Sequence, residues 1–193
     1  MRASDQVIVT KRLDLVLFTP RLLAAVLSGQ ARSIDDVELP AEWVQRSERT
    51  LRRRLEQVAG DPGSAPWLLR AMVRRETREL VGRIGFHGRP GDNRLAAPDG
   101  LELGYAVEPV FQRQGFAEEA IRGMMAWART RSVDHFVVSI GTSNGPSLHL
   151  AAKLGFAEAA RVIDEEDGAE IVFELRGAGG AMPTGLSEAR RSP

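Results

Sequence analysis

The chain contains no cysteine, which excludes disulfide bridges, thiolate metal sites and a cysteine nucleophile. Long apolar runs are also missing. No stretch approaches the ~20 residues needed to cross a bilayer, and Met1 to Gln6 lack the apolar character of a secretory signal. Nor is there a surplus of either charge. The 26 Lys and Arg equal the 26 Asp and Glu among 193 residues, so the basic excess of a nucleic-acid binder is absent. Aromatics are scarce, with a single tyrosine. What is present is the apolar and charged content of an ordinary globular domain, at a length that suits one domain rather than two. The expectation is a cytoplasmic protein with neither membrane nor nucleic acid as partner.

Periodicity supplies the elements. Leu13 to Phe18 is an apolar strand, and Thr19-Pro20 then offers a hydroxyl cap and a first-turn proline. The helix they open carries Leu22, Leu23, Val26 and Leu27 at helical spacing. A second helix is predicted from about Ala41 to Val58 on the stripe Trp43, Leu51, Leu55 and Val58, ended by Asp61-Pro62-Gly63. Trp67 to Val73 and Leu80 to Phe86 read as a hairpin, followed by a loop rich in Gly, Pro and Asp up to Gly100. Leu101 to Val107 alternates, with Leu101, Leu103, Tyr105 and Val107 on one face and Glu102, Gly104 and Ala106 on the other.

Beyond Glu108-Pro109 a helix places Ala117, Ala120, Ile121, Met124 and Ala128 on its apolar side. Phe136 to Ile140 is a buried strand, Pro146 to Leu154 a helix and Phe156 to Val162 a strand. Asp167-Gly168 marks a turn before a last strand with Ile171, Phe173 and Leu175 in alternation. Residues 177–193 have little to bury and are expected to form a disordered tail, leaving 1–176 as the domain. The order is strand, two helices, three strands, then helix, strand, helix, strand, strand. That is a mixed α/β domain around one central sheet.

Chemistry concentrates between Glu108 and Ala117. A strand that feeds a glycine-containing turn and then a helix offers free backbone N–H groups and a positive helix end, which favour a phosphate. Gly115 permits close approach, Ala117 adds little bulk, and Arg113 brings a charge suited to a pyrophosphate. Alone, such a turn is equally a plain helix entry. No P-loop is present, and Gly82-Arg83-Ile84-Gly85 is not a dinucleotide fingerprint.

Gln112-x-x-Gly115-x-Ala117 resembles the Gln/Arg-x-x-Gly-x-Gly/Ala motif of the Gcn5-related N-acetyltransferases, the GNAT superfamily. Asn144-Gly145-Pro146-Ser147 followed by Lys153-Leu154-Gly155-Phe156 resembles a second family segment, in the right order and at the right distance. Leu13 to Pro20 and Ile84 to Gly88 are similar to the ribosomal-protein alanine and serine N-acetyltransferases, the RimJ/RimL-like subgroup. The resemblance implies a mostly antiparallel central sheet flanked by helices and acetyl-CoA as acyl donor. It places coenzyme A against Tyr105, Ala106 and Val107 on the strand, Gln112, Arg113, Gln114, Gly115, Phe116 and Ala117 in the turn, and Asn144. The acceptor would be a primary amine, on a protein N-terminus or a small molecule, that attacks the acetyl thioester directly, without a covalent enzyme intermediate and without a metal.

Three chemical tasks follow: removing a proton from the acceptor ammonium, stabilising the oxyanion and protonating the leaving thiolate. Glu102, beside Gly104 and Ala106 on the presumed cleft face, is the candidate base through water, with a strand carboxylate that is solvated or paired with an arginine as the plain alternative. The family's usual tyrosine acid falls at Ala151, a departure that leaves Ser147 as the candidate acid. A serine in a first helical turn is also a common local cap. His87 could hold the acceptor or relay a proton, with a partly exposed loop histidine as the plainer reading, and His135 and His149 read as structural or surface residues. The run Arg46, Arg49, Arg52, Arg53 and Arg54 interleaves with Glu42, Glu48 and Glu56, as in an ion-paired helix face. Asp164 to Asp167 reads as an acidic hairpin tip rather than a calcium loop. The missing tyrosine also admits a non-catalytic acyl-CoA sensor, and acyl length is open to a longer group. A homodimer is compatible with the exposed edges of such a sheet.

Overall fold

The structure is a computed structural model that describes residues 6–164 and 168–177. In chain order the elements are β1 (Val7–Val9), β2 (Leu13–Leu17), α1 (Pro20–Leu27), β3 (Ser33–Ile34), β4 (Val37–Glu38), α2 (Ala41–Gly60), β5 (Arg70–Arg74), β6 (Leu80–Phe86) and β7 (Gly100–Val107). They continue with α3 (Phe116–Arg129), β8 (His135–Gly141), α4 (Gly145–Leu154), β9 (Ala157–Asp164) and β10 (Gly168–Arg176). Among the described residues an eight-stranded sheet has the order β1-β2-β5-β6-β7-β8-β10-β9. Every adjacent pair is antiparallel except β7 with β8. The mixed α/β, mostly antiparallel class is therefore observed.

Strand alternation divides the core between the two faces of this sheet. Leu13 and Leu15, Met72, Ile84 and Phe86, Leu101 and Leu103, and Phe136 and Val138 meet α3 and α4 on one face. Val16, Ala71 and Val73 point the other way and pack with α1 and α2 through Leu23, Trp43 and Leu51. In the first layer Trp67 meets Trp127 edge-on with centroids 5.0 Å apart, and Phe86 stacks on Phe136 at 6.5 Å. Each such aromatic pair adds about 0.5–1.5 kcal/mol beyond the area it buries. The α1/α2 layer covers β2 and β5, while the same face of β7 and β8 is left as the floor of a cleft.

The local signals act as their chemistry requires. Thr19 caps α1 by accepting from the Leu22 N–H at 3.2 Å, with Pro20 at the first helical position. Helix α2 extends two residues past Val58, and its buried side includes Ser47 and Arg54 as well as Trp43, Leu51 and Val58. A search for apolar periodicity passes over those two. Ser47 is satisfied by Arg83, which donates to its hydroxyl at 3.1 Å. β5 begins at Arg70 instead of Trp67, because Pro62–Trp67 winds into 3-10 turns. The β3–β4 hairpin has no signature in the sequence. Its turn is Asp35-Asp36, with φ of 48° and 61°, so the left-handed geometry is met without the Asn-Gly signature. The expected tail and the tip residues 165–167 lie outside the described residues.

Candidate active site

The parallel pair β7–β8 is joined over only three positions, Gly100↔His135, Leu101↔Phe136 and Glu102↔Val137. β6 remains paired with β7 as far as Val107. Among the described residues the other edge of β7 therefore has no ladder partner from Leu103 to Val107, and the two strands part as a wedge. Unpaired strand edges carry free N–H and C=O groups, which an extended ligand satisfies by adding itself as a strand. Both parallel strands lead, at their carboxyl ends, into helices, α3 after β7 and α4 after β8. Ligands of parallel sheets bind at such carboxyl ends.

The start of α3 suits an anion. Gly115 sits at the N-cap with φ 80° and has no side chain with which to cap the helix, and Arg113 is also left-handed at φ 59°. Successive left-handed and right-handed residues turn backbone N–H groups toward one point, where the helix end adds partial positive charge. A Cβ on Gly115 would meet only an Arg12 guanidinium nitrogen at 3.5 Å, so the approach is open. Gln112 folds its amide back to donate to the Val107 carbonyl at 3.1 Å, and Gln114 donates to the Val110 carbonyl at 3.0 Å. Both side chains thus shape the turn. Phe116 is buried in the core, so only its backbone faces the turn, whereas Arg113 is exposed and Ala117 half-buried.

At the other helix the cap is Asn144, whose Oδ1 accepts from the Ser147 N–H at 3.2 Å. The local-cap role considered for Ser147 belongs to Asn144, which leaves the Ser147 hydroxyl available. Tyr105 donates to it at 3.0 Å. The Tyr105 ring packs against the core as its alternation implied, while its hydroxyl reaches α4. Burial pushes the Tyr105 phenol up, more than the Ser147 hydrogen bond lowers it, so it stays protonated near neutral pH. Ala151 is buried one turn after Ser147.

On the α2 side of the sheet an open cleft of about 1320 Å³ has Glu102, Ser139 and His87 in its lining. Glu102 closes the apex of the wedge. Its carboxylate accepts from Ser139 Oγ at 2.8 Å and from the Arg94 N–H at 2.7 Å, and lies 3.4 Å from His87 Nδ1. Burial alone would push Glu102 up. The His87 contact, the Ser139 hydroxyl and the Arg94 amide outweigh it, holding the carboxylate below its usual range. Glu102 is thus an ionised, enclosed anion, not a solvated strand carboxylate.

A family model described as the acetyltransferase (GNAT) domain matches residues 12–157. The chain belongs to the GNAT acetyltransferase family. The match takes in the wedge, the Gly115 turn and the start of α4. Among curated relatives it is 34% identical over 84 residues to the uncharacterized N-acetyltransferase YoaA of Bacillus subtilis, covering 43% of this chain and 45% of that protein. It is 27% identical over 154 residues to the uncharacterized N-acetyltransferase YjdG of the same organism, covering 76% and 87%. A solved Salmonella typhimurium acetyl transferase that modifies the N-terminal serine of 50S ribosomal subunit protein L7/L12 superposes with a TM-score of 0.58 at 14% identity, covering 88% of this chain and 98% of that one.

Several residues of this candidate site carry no signal in the sequence. Arg12 spans the α3 entrance, donating to the Gln114 carbonyl at 3.0 Å and to Glu119 at 2.6 Å, with its guanidinium 4.4 Å from the Phe116 ring centre. It comes from the β1–β2 turn, more than a hundred residues away in sequence, so no motif spacing points to it. Ser139 and the Arg94 amide meet Glu102 through the β8 register and a loop fold that spacing does not encode. His135 is buried, and its ring nitrogens lie 3.0 Å from Asp99 and 2.9 Å from Glu174. Among the described residues no group of three or more His, Cys, Asp or Glu is placed to hold a metal ion, and no helix is long and apolar enough to cross a membrane.

Proposed function

We propose that this acetyltransferase moves the acetyl group of acetyl-CoA directly to a primary amine, with a protein or peptide N-terminus as the favoured acceptor class. The observation that carries the reading is the wedge between β7 and β8, flanked by an uncapped α3 N-terminus and floored by an ionised carboxylate. The residues fit the donor. Backbone N–H groups from Arg113 to Ala117 would hold its pyrophosphate, and Arg113 would add a charge-assisted contact. The free β7 edge would pair with its pantetheine arm, and the N–H groups near Ala106 and Val107 would take the acetyl oxygen. When bound, acetyl-CoA supplies the acetyl group as an activated thioester.

The chain's own residues supply the rest. Glu102 draws the ammonium toward the wedge apex by charge. Ser147 serves as the donor to the leaving sulfur, and the phenol that hydrogen-bonds to its oxygen leaves its own O–H free to point elsewhere. An α-amine needs less help losing its proton than a lysine, since their reference values are about 7.7–8.0 and about 10.4. The Salmonella neighbour that modifies an N-terminal serine supports the same acceptor class.

Thiol release from acetyl-CoA against short peptides beginning with Ala or Ser, polyamines and aminoglycosides tests this reading. Release with the peptides is the expected result. Release with polyamines or aminoglycosides alone would move the acceptor class to small molecules. Binding of acetyl-CoA by calorimetry without release toward any amine would replace the enzyme reading with that of an acyl-CoA sensor.

A further inference from the structure

Glu102 is poorly placed to receive a proton itself. Both its oxygens are engaged and its side chain is only 3% exposed, so an amine would have to displace Ser139 or Arg94 to touch it. The neighbouring histidine has the opposite properties. The His87 N–H donates to the Glu102 carbonyl at 2.7 Å, one step beyond the Phe86↔Leu103 pair, so the two side chains are cross-strand neighbours on the cleft face. Nδ1 points at the Glu102 carboxylate, and Nε2 lies across Gly104, 2.7 Å from where a Cβ there would sit. The imidazole is one-third exposed and lines the cleft.

We propose that His87 takes the proton of the acceptor ammonium through Nε2, with Glu102 as the buried carboxylate that holds the ring; this rests on the acetyl-transfer reading. A neutral ring whose Nδ1–H faces Glu102 keeps its lone pair on Nε2. The backbone is fixed too. The His87 carbonyl accepts from Arg54 Nη1 at 3.0 Å and from Gln57 Nε2 at 2.8 Å, so α2 clamps the turn that carries the ring. General acid–base work is served best by a side chain of the kind that changes charge near the working pH, and imidazole is that kind of side chain. Gly104 is part of the device, because any side chain there would occupy the space of Nε2.

The charges around the ring agree with a cationic visitor. From α2 come Glu48, Glu56, Arg49, Arg52 and Arg53; the loop before β7 adds Asp92 and Arg94, and the outer strands add Asp164 and Glu170. With Glu102, six carboxylates thus meet five guanidinium groups, the fifth being that of Arg54 on the His87 carbonyl, a balance that still favours an ammonium near His87. In the step, one ammonium proton passes to Nε2 and the freed lone pair forms the N–C bond to the acetyl carbon. As the C–S bond breaks, a second proton leaves the nitrogen for solvent, the Ser147 hydroxyl gives its proton to the sulfur and is reprotonated from water, and His87 releases its proton to water. Amide, free thiol and one net proton result.

The test compares wild type, His87→Ala, His87→Gln and Glu102→Gln with the best peptide acceptor, alongside acetyl-CoA binding by calorimetry. His87→Ala is expected to lower kcat by about 10²-fold or more at unchanged acetyl-CoA affinity. Added imidazole is expected to restore part of that rate, more so for more basic imidazoles. The acid limb of the kcat/KM profile is expected to vanish in His87→Gln, with a smaller loss in Glu102→Gln. Near-wild-type turnover by His87→Ala, or an acid limb that survives in His87→Gln, would overturn this proposal alone. A wild-type chain that binds acetyl-CoA yet acetylates no amine would overturn the acetyl-transfer reading and this one with it.

Discussion

Ser147 and Tyr105 show how a single hydrogen bond reassigns two residues. Position in a first helical turn suggests a cap for Ser147, and strand alternation suggests core for Tyr105. The alternation is right about the ring, which packs inward, but it is silent about a hydroxyl 6 or 7 Å farther out along the side chain (roughly the reach of a phenol beyond Cα). That hydroxyl donates to Ser147, while Asn144 takes the cap. If Ser147 protonates the leaving sulfur, Ser147→Ala should lower kcat by about 10²-fold and leave the acetyl-CoA dissociation constant near wild type. Tyr105→Phe keeps the packing and removes one hydrogen bond worth about 0.5–1.5 kcal/mol, so its kcat should fall by at most about tenfold. Steady-state kinetics with calorimetric binding checks both. Equal losses of binding and rate would move the pair from acid chemistry to cofactor fit.

Whole elements were more readable than the contacts between them. Apolar periodicity located α1, α3 and α4 to within a residue or two of their observed bounds, because packing against a sheet demands that period. It could not see that Arg54 and Ser47 share the buried side of α2, since a buried polar group is permitted by its partners and those lie on β6 and the turn after it. Likewise the pairing of His87 with Glu102 depends on the register across a long loop, which no local signal sets. Glu119 illustrates the energetics of such a contact. It ties α3 to the β1–β2 turn by accepting from Thr10, the Arg12 N–H and the Arg12 guanidinium. Burial pushes this carboxyl up, but those bonds outweigh it and hold it below its ordinary value. A depressed carboxylate stabilises the fold fully above its unfolded value of about 4.3 and loses that contribution as pH falls through the lower folded value. Melting curves of wild type and Glu119→Gln should therefore differ most near neutral pH and converge below about pH 4. A gap that stays constant across that range would mean that shape, not charge, matters at this position.

For the molecule as a whole, binding and stability are one equilibrium. Acetyl-CoA at a hundredfold over its dissociation constant should stabilise the fold by about 2.7 kcal/mol, raising the melting temperature by about 5–10 °C in a chain of this size. Gly115→Glu should abolish that rise, because its carboxylate would sit where the phosphates do. Gly115→Ala is the control for strain at φ 80° and should lower the starting temperature but keep part of the rise. A full rise in Gly115→Glu would place the phosphate site elsewhere. The same architecture has a mechanical side. β1, β2, β5, β6 and β7 form one leaf and β8 to β10 a second, and their shared spine is three residue pairs long. His135 sits at its foot, buried and bolted to Asp99 just before β7 and to Glu174 on β10. The opening angle of the two leaves fixes the width of the groove between them, so a change at this rivet would widen or narrow the gap without altering any group inside it.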